Sequence, residues 1–177
     1  MDCIHSNTNN IIPIITIVIS IVLAVLALLQ YMKNSKFTRI ANLSSLWRKF
    51  YDKKEENSFF ELFTALNTLS NAKDEKEKEE EAEIKLKEFD KVDRLRYLAF
   101  LAEIVSYTKI DSVDKENAMH LFHWLFYFVF LNPNTRDDFW SNIGSDKERT
   151  SDSWKADREF AEDCEKYMYD KGILKKD

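Results

Sequence analysis

The sequence predicts an all-α protein, with one N-terminal transmembrane helix continuing into a cytoplasmic helical bundle. Three observations carry this. Residues 11–29 hold no charge, and fourteen of these nineteen are Ile, Val or Leu. The 177-residue chain has only two glycines and two prolines, so turn-forming residues are scarce and long helices are favoured. No stretch alternates apolar and polar residues with the period of a strand, whereas apolar spacings of three and four recur throughout.

As a helix, residues 11–29 extend roughly 28 Å, close to the hydrocarbon thickness of a bilayer. At about −0.3 to −0.6 kcal/mol for each Ile, Val or Leu, insertion is favoured by several kcal/mol. A cleaved signal peptide is excluded by its flanks. No Lys or Arg precedes Ile11, the apolar run is too long, and Gln30-Tyr31-Met32-Lys33 offers no small-residue cleavage site. Lys33, Lys36, Arg39, Arg48, Lys49, Lys53 and Lys54 face only Asp52 across residues 33–54, a net charge of +6. By the positive-inside rule the N-terminus lies outside and the bulk of the chain in the cytoplasm, a single-pass protein of a bacterial inner membrane. Cys3 and Cys164 then sit on opposite sides, so no intrachain disulfide is expected, and Cys3 precedes the apolar run where a lipoprotein needs it after.

The divisions are an extracytoplasmic N-terminus (1–10), the transmembrane helix (11–32), a basic juxtamembrane helix (33–57) and a cytoplasmic α-helical domain (58–177). Past residue 54 the chain holds 19 basic and 29 acidic groups, a net of −10. It is basic beside the membrane and acidic beyond it. Contact with anionic lipid headgroups, at ~1 kcal/mol per Lys or Arg, accounts for most of the basic stripe.

The helical pattern continues past the span through Phe37, Ile40, Ala41, Ser44, Trp47 and Tyr51, widened by Leu43, Leu46 and Phe50, to about Lys54. Ser58-Phe59-Phe60-Glu61 has capping-box spacing, opening a helix to about Asn71 that buries Phe59, Phe60, Leu62, Phe63, Leu66 and Leu69. Residues 73–88 carry five Lys and eight acids, with Asp74–Lys78, Glu81–Lys85 and Glu83–Lys87 spaced as i,i+4 pairs; this reads as an exposed helix or connector. Asp90 or Asp93 starts an apolar helix to Lys109, and Asp111-Ser112 starts the next, which includes residues 118–131. That fourteen-residue uncharged run covers only ~21 Å and ends at Asn132-Pro133. A core helix is expected there, with a re-entrant or surface-lying helix as the alternative. A short helix from Thr135 to Trp140, a polar linker, and a final amphipathic helix capped by Ser153 and closed by Gly172 complete the chain.

Catalytic and metal sites are not in view. Two isolated glycines cannot form a phosphate loop, and there is no HExxH, CxxC or GxSxG. His120 and His123 sit inside an aromatic run without neighbouring carboxylates, so both are expected in the core. Glu103, within an apolar helix, is expected to be either paired, with an arginine of another helix as partner, or at an oligomer contact; Arg94 and Arg96 also have apolar neighbours. Neither enzyme activity nor a cofactor is expected.

The span carries the best clue. Thr16, Ser20, Ala24, Ala27, Tyr31 and Asn34 recur at helical spacing and form a small, polar stripe opposite a face of Ile, Val and Leu. In lipid such a stripe lets helices approach closely. Either it is a dimer seam, or four or more copies, a tetramer at the smallest, turn Thr16, Ser20, Ala24, Ala27 and Asn34 toward a narrow pore.

Arg39 with Leu46-Trp47-Arg48, the FFELFTALNTLS helix and the RLRYLAFLAEIVSYTKID helix, behind a single N-out span, resemble a family of small uncharacterised bacterial membrane proteins. The layout is similar to membrane effectors of phage defence, the Hailong channel effector and type III CRISPR membrane effectors among them. The resemblance covers roughly residues 11–140 and supplies no catalytic motif. It implies an oligomeric membrane protein controlled by a nucleotide or oligonucleotide bound to the cytoplasmic domain. Phosphates need Arg or Lys and bases need aromatic faces. Arg39, Trp47, Arg48 and Lys49 offer both, and Arg94, Arg96 and Tyr97 form a second set. The alternative is a membrane-anchored helical scaffold for a protein partner.

Overall fold

The structure is a computed structural model that describes residues 5–51, 59–72, 75–144 and 150–175, with side chains from Ser20 onward. Every regular element among them is helical. The chain divides into two compact units, Met1–Ala41 and Asn42–Asp177. Helix α1 (His5–Phe50) contributes to both.

In the first unit, the side chains of residues 20–32 are exposed all round the helix, including Ile21, Val22, Leu23, Val25, Leu26, Leu28 and Leu29. Among the described residues, no helix is long and apolar enough to cross a membrane. Residues 11–19 of the apolar run, Thr16 included, lie outside the described side chains. Ser20, Ala24, Ala27, Tyr31 and Asn34 of the polar stripe are exposed.

The second unit is an α-helical bundle. Its elements are α2 (Phe59–Asn71), α3 (Lys76–Glu88), α4 (Lys91–Lys109), α5 (Lys115–Phe126), α6 (Pro133–Ser141) and α7 (Lys155–Asp170). α2 packs on α3 and α6, while α5 and α7 pair and both lean on α4. The core joins Leu46 and Phe50 of α1, Leu62 and Leu66 of α2, Phe100 and Leu101 of α4, Phe122 and Phe126 of α5, Phe139 of α6 and Phe160 of α7. Phe50 stacks 6.2 Å from Phe100, which meets Phe122 edge-on at 6.1 Å.

α5 is the core helix expected over residues 118–131, but its end departs from α-helical register. Tyr127–Leu131 form a π-helical turn, closed by a 2.8 Å bond from the Asn132 N–H to the Tyr127 carbonyl. The wider turn carries Phe128, Val129 and Phe130, all three buried. Two carbonyls in the turn find side-chain donors: the Thr135 hydroxyl bonds Phe128 at 2.7 Å and the Trp140 indole bonds Val129 at 2.9 Å.

The helix ends correct several expectations. Asp90 and Asp93 both serve, as reciprocal partners of one capping box at α4. Asp114, not Asp111 or Ser112, caps α5. Asp111 instead follows the end of α4 in left-handed conformation (φ 56°), with the Asp111 N–H bonding the Thr108 carbonyl and the Ser112 N–H the Tyr107 carbonyl. This is the same helix-closing motif that Gly172 forms after α7 at φ 69°. Ser153 lies inside a 3₁₀ turn (Asp152–Trp154) and does not cap α7. Ser58 and Asp74 lie outside the described residues. Phe60 is exposed on α2, and Ala65 is buried where no apolar stripe marked it. The charged run is a helix with one buried edge, Ala82 and Leu86, and its Glu81–Lys85 and Glu83–Lys87 pairs form.

Arg94 sits at the centre of these contacts. It is 1% exposed. Its guanidinium donates to the carbonyls of Leu86 (2.7 Å) and Phe89 (3.2 Å) at the end of α3, and of Asp138 (2.5 Å) and Phe139 (2.7 Å) near the end of α6. Carbonyls in a helix's last turn lack intrahelical donors and carry the negative pole of its dipole. One buried cation answers both. Replacing it with a neutral chain of similar length, Arg94→Met, strands these acceptors, and we expect a loss of about 3–5 kcal/mol. Chemical denaturation followed by circular dichroism checks this; an unmoved midpoint would refute the assignment.

Candidate functional site

The C-terminal end of α1 presents two faces. Leu43, Leu46 and Phe50 turn into the core, while Ser44, Trp47, Arg48 and Tyr51 line an open hollow of about 520 Å³. The three- and four-residue spacings put each set on one side of the helix. Trp47 is 38% exposed and its ring lies 4.8 Å from that of Tyr51, which lies 5.0 Å from the exposed ring of Phe60. An exposed row of Trp, Tyr and Phe rings beside an arginine is a surface on which a planar ring can stack and an anion can be held.

This end of α1 is fixed to the bundle by polar contacts as well. The Asn42 amide donates to the Ser112 carbonyl at 3.0 Å, and the Lys49 ammonium meets the Glu103 carboxylate at 2.5 Å. Glu103 is therefore paired as expected, but with a lysine of α1 and not with an arginine.

The structure separates the residues expected to bind a ligand. Trp47 and Arg48 share the hollow. Lys49 points to another side of α1 and is held by Glu103. Arg39 belongs to the first unit. Arg94 is a correction: its donors serve backbone carbonyls inside the bundle, and it is closed to a phosphate. Its near neighbour Arg96 turns outward, 3.8 Å from Asp93. Two arginines two positions apart on a helix cannot share a face. Tyr51 and Phe60 were missed as partners of Trp47, because Tyr51 read only as stripe and Phe60 only as core.

The histidines also part. His123 is buried, donating its Nδ1 proton to the carbonyls of Met119 (2.8 Å) and His120 (3.1 Å), and burial pulls its pKa below the usual value. His120, expected in the core, is exposed, with Nδ1 3.0 Å from the Tyr167 hydroxyl. Among the described residues no group of three metal-ligating side chains occurs. Burial pushes the Cys164 thiol well above its usual range, leaving a poor nucleophile.

Asp157, in the first turn of α7, titrates in a range displaced toward neutrality. It is 4% exposed, and burial raises its carboxyl to about 6 against the partial compensation of its own backbone N–H, Lys109 and Arg158. No protein family model, curated protein or solved structure matches this chain.

A carboxyl raised in the fold binds its proton more tightly when folded than when unfolded. Stability is therefore highest below about pH 4 for this group alone and falls as pH rises toward 6. We expect Asp157→Asn to stabilise the bundle at pH 7.5 by about 2–3 kcal/mol and to have little effect at pH 4. Denaturation midpoints at the two pH values test it; an equal effect at both would point to packing instead of charge.

Proposed function

We propose that this chain is an oligomeric, membrane-spanning effector. Residues 11–29 cross a bacterial inner membrane with the N-terminus outside, and the helical bundle lies on the cytoplasmic side. The observation that carries this is the uncharged run in α1, whose described part exposes Ile, Val and Leu over most of its surface and Ser and Ala along the remaining stripe. A helix so largely apolar needs lipid or other protein around it.

Four or more copies, a tetramer at the smallest, enclose a narrow ion pathway lined by Thr16, Ser20, Ala24, Ala27 and Asn34. The stripe favours close association, because small residues let helices approach and hydroxyls pair within the membrane. The hollow at Trp47 and Arg48 supplies the control site. Its rings suit a base and Arg48 a phosphate of a nucleotide or short oligonucleotide. The net charge of −10 beyond residue 54 disfavours a broad nucleic-acid surface and keeps the site local. The likeness to phage-defence effectors suggests defence as the setting.

A second reading has its own support. The exposed rings of Trp47, Tyr51 and Phe60 also suit a protein partner, and the chain would then be a membrane-anchored scaffold with the polar stripe as a dimer seam.

Expression of the full chain should depolarise cells loaded with a voltage-sensitive dye. Thr16→Leu with Ser20→Leu should abolish that signal at unchanged membrane abundance; an unaltered signal sinks the pore. Arg48→Glu should weaken control by nucleotide at least tenfold, read as the concentration that changes conductance in proteoliposomes. A strictly dimeric state in detergent would favour the scaffold, since two helices cannot enclose a pathway.

A further inference from the structure

The outward face of α4 has no role in the site above, yet it is apolar. Val92 is 52% exposed and Leu95 37%, Ala99 is exposed and Ala102 half-buried, all at three- and four-residue spacing along one side. The inner side is filled by Tyr97, Leu98, Leu101 and Ile104. A surface helix ordinarily turns charge outward, and one that is apolar on both sides is ordinarily covered on both.

Two charges flank the centre of this face: Arg96 stands three residues before Ala99 and Glu103 four after it. Placed antiparallel against its own copy, with Ala99 on the two-fold axis, α4 sets Arg96 opposite Glu103, twice over. Both charges have capacity to spare: Arg96 is exposed, 3.8 Å from Asp93 and within the field of Asp90, and the Lys49 bridge occupies one Glu103 oxygen, Oε2. Ala99 and Ala102 leave no bulk at the centre, where the two helices must come closest.

We propose that α4 is a homotypic docking surface, packing antiparallel on α4 of a second copy across a two-fold axis at Ala99. The surface is isologous: the same patch serves both partners, so it closes on a pair and does not propagate. One helix face falls short of the ~800 Å² per partner of a standard interface. The pair is accordingly weak and reversible, and it forms whether residues 11–29 line a pore or only anchor the chain.

Covalent capture tests it in the full chain, in lipid nanodiscs, with Cys3→Ser as background and the buried Cys164 left in place. Under mild oxidation Ala99→Cys should give disulfide-linked dimers, at least tenfold more than Lys166→Cys on the exposed side of α7. Val92→Cys alone should give none, since the two copies lie about 20 Å apart in the antiparallel pair; mixed with Ser106→Cys chains it should link. Adding Arg96→Glu to Ala99→Cys should cut the yield severalfold with helix content unchanged, and Leu95→Glu, also at an exposed position, should do the same. Equal linking at 99 and 166, self-linking at 92, or indifference to both charge substitutions would each overturn the proposal.

Discussion

The buried guanidinium of Arg94 is the constraint around which the bundle is arranged. Hydrophobic burial decides that α2, α4, α5 and α7 collapse together, but it is non-directional and does not by itself fix how the ends of α3 and α6 are placed. Arg94 closes that freedom. Its fork fits only when the end of α3 and the end of α6 converge on the first turn of α4, and an unpaired buried cation is costly wherever they do not. The negative poles of two helices, together with the nearby Asp138 carboxylate, supply the balance. A lysine, with a single ammonium in place of a planar fork, could not reach four carbonyls at once.

The helices were largely legible in the sequence because apolar spacing and the scarcity of glycine and proline both point to them. α2, α4 and the end of α7 lie close to where their patterns place them, and Gly172 closes α7 in the left-handed conformation that its position suggests. What escaped was information that local pattern does not hold. Arg94 and Arg96 look alike in sequence, two basic residues among apolar ones, yet one is sealed in the bundle and the other faces out. Carbonyls at the end of α3 and at the end of α6, the latter some forty residues later in the chain, make that distinction. Asp111 misled for a related reason: aspartate is a common helix starter, and here it occupies the closing turn of the preceding helix, a left-handed position that it tolerates better than most residues.

The ligand surface shrank in the same way. A basic segment seen in sequence offers all its charges at once, whereas a folded helix distributes them by angle. Of the cluster at residues 47–49, Trp47 and Arg48 share an open side and Lys49 is spent on Glu103. The aromatic neighbours Tyr51 and Phe60 come from the same helix end and from α2, and together they turn a charge cluster into a stacking surface with one cation beside it.

The π-helical turn at Tyr127–Leu131 bears on how this chain can change over time. Such a turn is an α-helix carrying one additional residue, and the surplus residue resets the angle of everything after it. Asn132 reaches the Ser70 hydroxyl at 2.7 Å, and Thr135 and Trp140 reach back to the turn's carbonyls, only in the reset register. Losing a single codon there would restore a regular helix while rotating these three side chains by about 100° away from their partners. Substitution within the aromatic run can be absorbed by repacking. A change in its length cannot, so the segment is one in which residue number is held more tightly than residue identity.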